Sequence, residues 1–136
     1  MDPLRFAVIG TGFWANYQVA AWKELEGVEL VAVYNRTIER AEALAKKFDV
    51  SHIYNSVEEL LAQEKLDFVD IISGVDTHAL FAIMAAEKGV NVVCQKPMAS
   101  SLDAARHPPH GGGRVPDRND HDSRAAKISG QRPRRP

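Results

Sequence analysis

The sequence predicts an α/β fold: a doubly wound parallel sheet of five strands, in spatial order 3-2-1-4-5, with helices on both faces. Three observations predict it. Short apolar runs alternate with helix-period segments from Leu4 to Cys94, a glycine-rich turn follows the first run, and the composition changes abruptly after Leu102. The expected organisation is a folded domain over residues 1–102 and a tail over 103–136.

The elements follow in order. Leu4–Ile9 is an apolar run ending at Gly10, the pattern of a buried parallel strand. Residues 13–25 read as a helix stopped by Gly27, and Val28–Tyr34 is a second strand rich in β-branched residues. Thr37 is a good N-cap for the next helix, where Ile38, Ala41, Ala45 and Phe48 share one face. His52–Tyr54 makes a short third strand. Ser56 caps a third helix, with Glu59 three positions on to complete a capping box. Phe68–Ser73 is the fourth strand. Asp76 or Thr77 opens a helix running to Lys88 and ended by Gly89, and Val90–Cys94 is the fifth strand. A capped helix start at Ser100 runs only to Arg106 before Pro108-Pro109 stops it.

With 136 residues, 45% of them hydrophobic, the chain can bury one real core but has no room for a two-domain enzyme. A net charge of −1 supplies no field to gather nucleic acid or an anionic membrane. Residues 6–22 carry no charge, but their polar residues and length suit neither a signal peptide nor a membrane span. The lone cysteine, Cys94, fits a reducing cytoplasm, and its place at a strand end reads as apolar filler rather than nucleophile.

The tail differs in kind. Residues 103–136 hold eight basic and four acidic residues, five prolines and four glycines, with only Val115 and Ile128 as aliphatics. Such text cannot bury enough apolar area to offset its ordering entropy, so it is expected to be disordered. It also has the character of a GC-rich gene read out of frame, so an aberrant origin is the expectation. His107 and His110 flank Pro108-Pro109, which forbids a helix, and no further ligand completes a set; no metal site is expected.

Gly10-Thr11-Gly12-Phe13-Trp14-Ala15 fits G-x-G-x-x-G/A between the first strand and first helix. The first glycine allows the tight turn, the second lets a pyrophosphate approach the backbone, and the small last residue lets helix and strand pack closely. The helix N-terminus offers N–H groups to the phosphates. A plain structural turn is the alternative, but the complete βαβ setting favours dinucleotide binding. The second strand ends Tyr34-Asn35-Arg36-Thr37, without the acid that an NAD ribose usually meets. Arg36 can pair with a 2′-phosphate while Asn35 and Thr37 hydrogen-bond it, which favours NADP over NAD. In the alternative, Asn35 merely ends a strand and Arg36 lies in solvent.

With the glycine loop, the segment Gly74-Val75-Asp76-Thr77-His78 and the run Cys94-Gln95-Lys96-Pro97-Met98-Ala99 in place, residues 4–102 resemble the Gfo/Idh/MocA oxidoreductases. The resemblance implies an N-terminal Rossmann domain that binds NAD(P), in a family that transfers hydride to or from sugar, inositol or related hydroxyl and carbonyl carbons. It implies that Gln95-Lys96-Pro97 stands for the family's E-K-P signature. Lys96 then contacts the nicotinamide ribose and the reacting oxygen, with Gln95 departing from the usual glutamate. Ser73, Gln95 and Pro97 join the cofactor-binding set with Gly10, Thr11, Gly12, Phe13, Trp14, Asn35, Arg36 and Thr37. His78 matches the family histidine and belongs to the same set, although a lone histidine at a helix start is more often structural.

The resemblance also implies a second, substrate-binding domain supplying further catalytic residues, which nothing after Leu102 matches. The chain is therefore expected to be a truncated form that binds the dinucleotide without turnover, and to self-associate through the open edge of its fifth strand. A different class of reading is a non-catalytic dinucleotide-binding or interaction module. In that reading the basic tail, with Arg132, Arg134 and Arg135, touches acidic partners.

Overall fold

The computed structural model describes residues 1–106. Five strands, β1 (Leu4–Ile9), β2 (Val28–Tyr34), β3 (His52–Tyr54), β4 (Phe68–Ile71) and β5 (Asn91–Cys94), form one sheet in the order β3-β2-β1-β4-β5. Every neighbouring pair is parallel. The helices are α1 (Phe13–Lys23), α2 (Ile38–Phe48), α3 (Val57–Gln63), α4 (Val75–Glu87) and α5 (Leu102–Arg106). The predicted topology is therefore the observed one. The expected tail lies outside the described residues from 107 onward, while α5 crosses the expected boundary at 102.

The alternation of side chains along β1 divides the core into two layers. Phe6 and Val8 pack with Ala15 and Val19 of α1 and Ala41, Leu44 and Ala45 of α2. Ala7 and Ile9 pack on the opposite face with Val57, Leu60 and Leu61 of α3 and Phe81 and Ala85 of α4. Burial on both faces accounts for the nearly unbroken apolar text of β1 and β4.

Five element ends differ from expectation, each because a backbone group finds a closer partner. The segment after Phe68 leaves the ladder at Ile71 rather than Ser73, since the carbonyl oxygens of Ser73 and Gly74 turn to His78 and Thr77. Consequently α4 starts at Val75 with Gly74 as its N-cap, and neither Asp76 nor Thr77 occupies that place. The Lys88 and Val90 amides both close onto the Ala85 carbonyl, so α4 ends at Glu87 rather than Lys88 and β5 begins at Asn91 rather than Val90. α1 ends at Lys23, where Glu24 and Leu25 tighten into three-residue turns before Gly27.

The caps behave unequally. Ser56 Oγ accepts from the Glu59 amide at 3.2 Å as predicted, but the Glu59 carboxylate takes Gln63 instead of closing the box. Thr37 stands at the N-cap of α2 without using its hydroxyl there. Its own amide instead donates to Asn35 Oδ1 at 2.9 Å, an Asx turn ending β2.

Candidate dinucleotide site

The sheet is parallel, so the turns following β1, β2, β4 and β5 all leave from one edge. β1 leads toward β2 on one side while β4 lies on the other, which makes the β1–β4 boundary the topological switch point where such sheets bind ligands. Every predicted site residue lies on one of these four turns or on the helix that follows it.

Gly10 has φ of +110°, and a Cβ there would lie 2.6 Å from the Ser73 amide nitrogen. The backbones after β1 and β4 thus touch across the switch point, and only glycine fits. Gly12 is different. Its φ of −71° suits any residue, and a Cβ would meet nothing within 4 Å. It is the N-cap of α1, with no side chain capping the helix and no acid in the first turn. The fold leaves an open face over the positive end of a helix, which fits a pyrophosphate group.

Asn35 reaches across from β2 and donates from Nδ2 to Thr11 Oγ1, so one side chain ties the glycine loop to the start of α2. Arg36 and Thr37 are exposed beside it. Next to the loop, an open cleft of about 450 Å³ runs between Gly12, Phe13 and Asn16 on one side and Arg40, Leu44 and Lys47 on the other. Arg40 was not singled out by motif, because its relation to the loop depends on how α2 packs. Phe13 and Trp14 are exposed, and both rings pack on Tyr17, at 5.2 and 5.9 Å.

On the other side of the switch point, His78 is only 3% exposed. Its Nδ1 lies 2.8 Å from the Pro97 carbonyl oxygen and its Nε2 2.7 Å from that of Ser73. The ring therefore fastens the turn after β4 to the turn after β5. Thr77 donates to the Gly74 carbonyl, which leaves the Ser73 hydroxyl to donate to Thr77 at 2.7 Å. Lys96 and Pro97 are exposed and joined by a cis peptide. Gln95 is half-buried, and its amide donates to Gln18 of α1. Burial and the nearby Asp70 carboxylate push the Cys94 thiol up, which keeps it protonated and suits filler rather than nucleophile.

Sequence reading missed the residues behind Gln95. Asp70, in the middle of β4, is fully buried, and its Oδ2 accepts from Gln18 Nε2 and Trp22 Nε1, each at 2.7 Å. Burial pushes its carboxyl above the ordinary range, partly offset by these two donors. The signal was a charged residue inside a strand otherwise apolar.

Elsewhere, a second depression of about 570 Å³ lies along β3, lined by His52, Tyr54 and Glu64 among others. The Glu64 carboxylate there already accepts from Tyr54 and bonds His52, with Arg5 at 3.9 Å. Among the described residues no group of three or more His, Cys, Asp or Glu could hold a metal, and no helix is long and apolar enough to cross a membrane.

A parallel five-stranded sheet with a glycine loop at its switch point defines the nucleotide-binding Rossmann class. Residues 4–108 match the Gfo/Idh/MocA profile, described as "Oxidoreductase family, NAD-binding Rossmann fold", and the chain belongs to that family. It is 37% identical over 100 residues to D-apiose dehydrogenase of Paraburkholderia graminis, covering 74% of this chain and 27% of that one. It is 34% identical over 98 residues to scyllo-inositol 2-dehydrogenase (NADP(+)) of Bacillus subtilis, covering 72% of this chain and 30% of that one. Among solved structures, an oxidoreductase from Agrobacterium radiobacter, in complex with NAD+, L-tartaric acid and magnesium, superposes with a TM-score of 0.73 at 37% identity. That match covers 76% of this chain and 30% of the other. The chain thus spans about 30% of the length of these relatives.

Proposed function

We propose that residues 1–102 are the cofactor domain of an oxidoreductase that moves hydride between a nicotinamide dinucleotide, NADP rather than NAD, and a hydroxyl or carbonyl carbon of a sugar or polyol. The observation that carries it is the contrast at the glycine loop. The fold itself demands glycine at position 10, whereas the open face over Gly12 is explained by a ligand. In this reading Gly10–Trp14 hold the pyrophosphate, and Asn35, Arg36 and Thr37 face the adenosine ribose. Ser73, His78, Gln95 and Pro97 shape the nicotinamide end. When bound, the nicotinamide ring supplies the hydride chemistry. Lys96 is the catalytic residue, a cation placed to stabilise charge on the reacting oxygen.

The family's dehydrogenases of apiose and scyllo-inositol support the sugar and polyol class. Binding without turnover by residues 1–136 is the second part of the proposal, with 103–136 a tail outside the domain. It is supported by the state of the other titratable groups flanking Lys96. Asp70 is buried beneath Gln18 and Trp22, and both His78 nitrogens face carbonyl oxygens. Neither is free to exchange a substrate proton.

Calorimetric titration of residues 1–136 with NADPH and NADH, followed by assays on a sugar and polyol panel, tests both parts. The expected result is saturable binding, tighter for NADPH, and no turnover. Absence of binding overturns the cofactor reading, and robust turnover overturns the second part alone.

A further inference from the structure

Asp70, Gln18 and Gln95 form a hydrogen-bonded chain that links the middle of β4, through α1, to the turn carrying Lys96. We propose that this chain positions that turn: Asp70 and Gln18 are positioning residues that hold Gln95, and through it Lys96, at the nicotinamide end of the site. This rests on the cofactor reading above.

The polarity of the chain has one solution. Asp70 Oδ2 accepts from the Trp22 indole N–H, so it presents acceptor character to Gln18 as well. Gln18 must therefore turn its amide nitrogen toward Asp70 and its oxygen outward. The outward Oε1 accepts from the Trp14 indole N–H at 3.0 Å and from Gln95 Nε2. Flipping Gln18 would face its NH2 group to an indole N–H, donor against donor. Two tryptophans, which can only donate, thus set the orientation of two amides. Gln95 is forced to spend an N–H on Gln18.

The anchor is firm because it is costly to disturb. Asp70 is fully buried, and its second oxygen, Oδ1, has no partner among the described residues. A buried carboxyl with only one satisfied oxygen is poorly explained by stability, since an apolar residue would fill the same strand position without that penalty. It is explained by the two donors it aims. Gln95 is further fixed through its backbone, whose amide donates to Ile71 on β4 at 3.0 Å. Main chain and side chain of one residue are therefore held by β4 and α1 together, immediately before Lys96.

The test compares NADPH with 2′-phospho-ADP, which keeps the adenosine 2′-phosphate and the pyrophosphate but lacks the nicotinamide and its ribose, by calorimetry on residues 1–136. Gln18→Leu cuts the chain on a partly exposed helix face, and Asp70→Leu removes its anchor. Each variant is expected to bind NADPH about three- to tenfold more weakly while its affinity for 2′-phospho-ADP stays within twofold of wild type. A residue that merely supports the fold would weaken both ligands alike. Equal losses, or no loss with either ligand, in Gln18→Leu would overturn the proposal and leave the cofactor reading standing. If Asp70→Leu fails to fold by circular dichroism, Gln18→Leu decides alone. Should the wild-type chain bind neither ligand, the cofactor reading falls and this proposal with it.

Discussion

A Cβ on Gly10 would lie 2.6 Å from the Ser73 amide, whereas one on Gly12 would meet nothing within 4 Å. Gly10→Ala combines backbone strain with a backbone clash and is expected to cost at least about 3 kcal/mol in chemical denaturation. Gly12→Ala is expected to cost under about 1 kcal/mol in the same experiment, yet to weaken NADPH binding at least about tenfold by blocking the approach of phosphate. If the two variants lose stability equally, the glycines do not have separate roles. Arg36 belongs to the same scale. It is exposed beside the glycine loop, and Arg36→Ala is expected to remove about 1.5–3 kcal/mol from NADPH binding while leaving NADH nearly unchanged. Equal losses for both cofactors would remove the case for NADP. These residues were legible because each belongs to a local motif whose parts lie within a few positions. Asp70 and Gln18 were not, since 52 residues separate them and only the packing of α1 on β4 brings them together.

At the level of elements, strand and helix positions were readable from period and punctuation, and the errors fell at ends. There the winner is decided by a single backbone group, as where the Ser73 carbonyl meets His78 instead of continuing the ladder. The Asx turn at Thr37 shows the same limit, since sequence marks the cap position but not which side chain fills it. β4 carries the element-scale prediction. A carboxyl whose folded pKa is raised keeps a proton that the unfolded chain has already released. Its contribution to stability is therefore present below the ordinary carboxylate pKa of about 4, and is lost as pH climbs from there through the raised folded value. Asp70→Asn should abolish that decline, so the stability difference between variant and wild type should change steadily in the variant's favour across the window. Urea denaturation from about pH 3 to 7 measures it, and a constant difference would show that Asp70 titrates normally.

At the scale of the whole molecule, the sheet formed by the described residues ends in two strands that each lack a described neighbour on one side, β3 with three residues and β5 with four. β5 is the more exposed hazard, because Val93 is 41% exposed and Met98 and Leu102 stand uncovered after it. Self-association through β5 is expected, seen as mass that rises with concentration in sedimentation equilibrium. Val93→Lys should shift the distribution toward monomer without lowering the melting temperature by more than about 2 °C. An unchanged distribution would place the contact elsewhere.

The two tryptophans also give the chain a pair of built-in optical reporters with separate duties. Trp22 packs tilted against the stacked rings of Phe6 and Phe68, at 5.2 and 5.3 Å, so its emission follows the integrity of the core. Trp14 stands 56% exposed on the first turn of α1, so under the proposed cofactor reading its redder emission is expected to be quenched as the dinucleotide binds. Replacing one by phenylalanine isolates the other: Trp14→Phe leaves only the reporter of unfolding, and Trp22→Phe leaves only the reporter at the glycine loop.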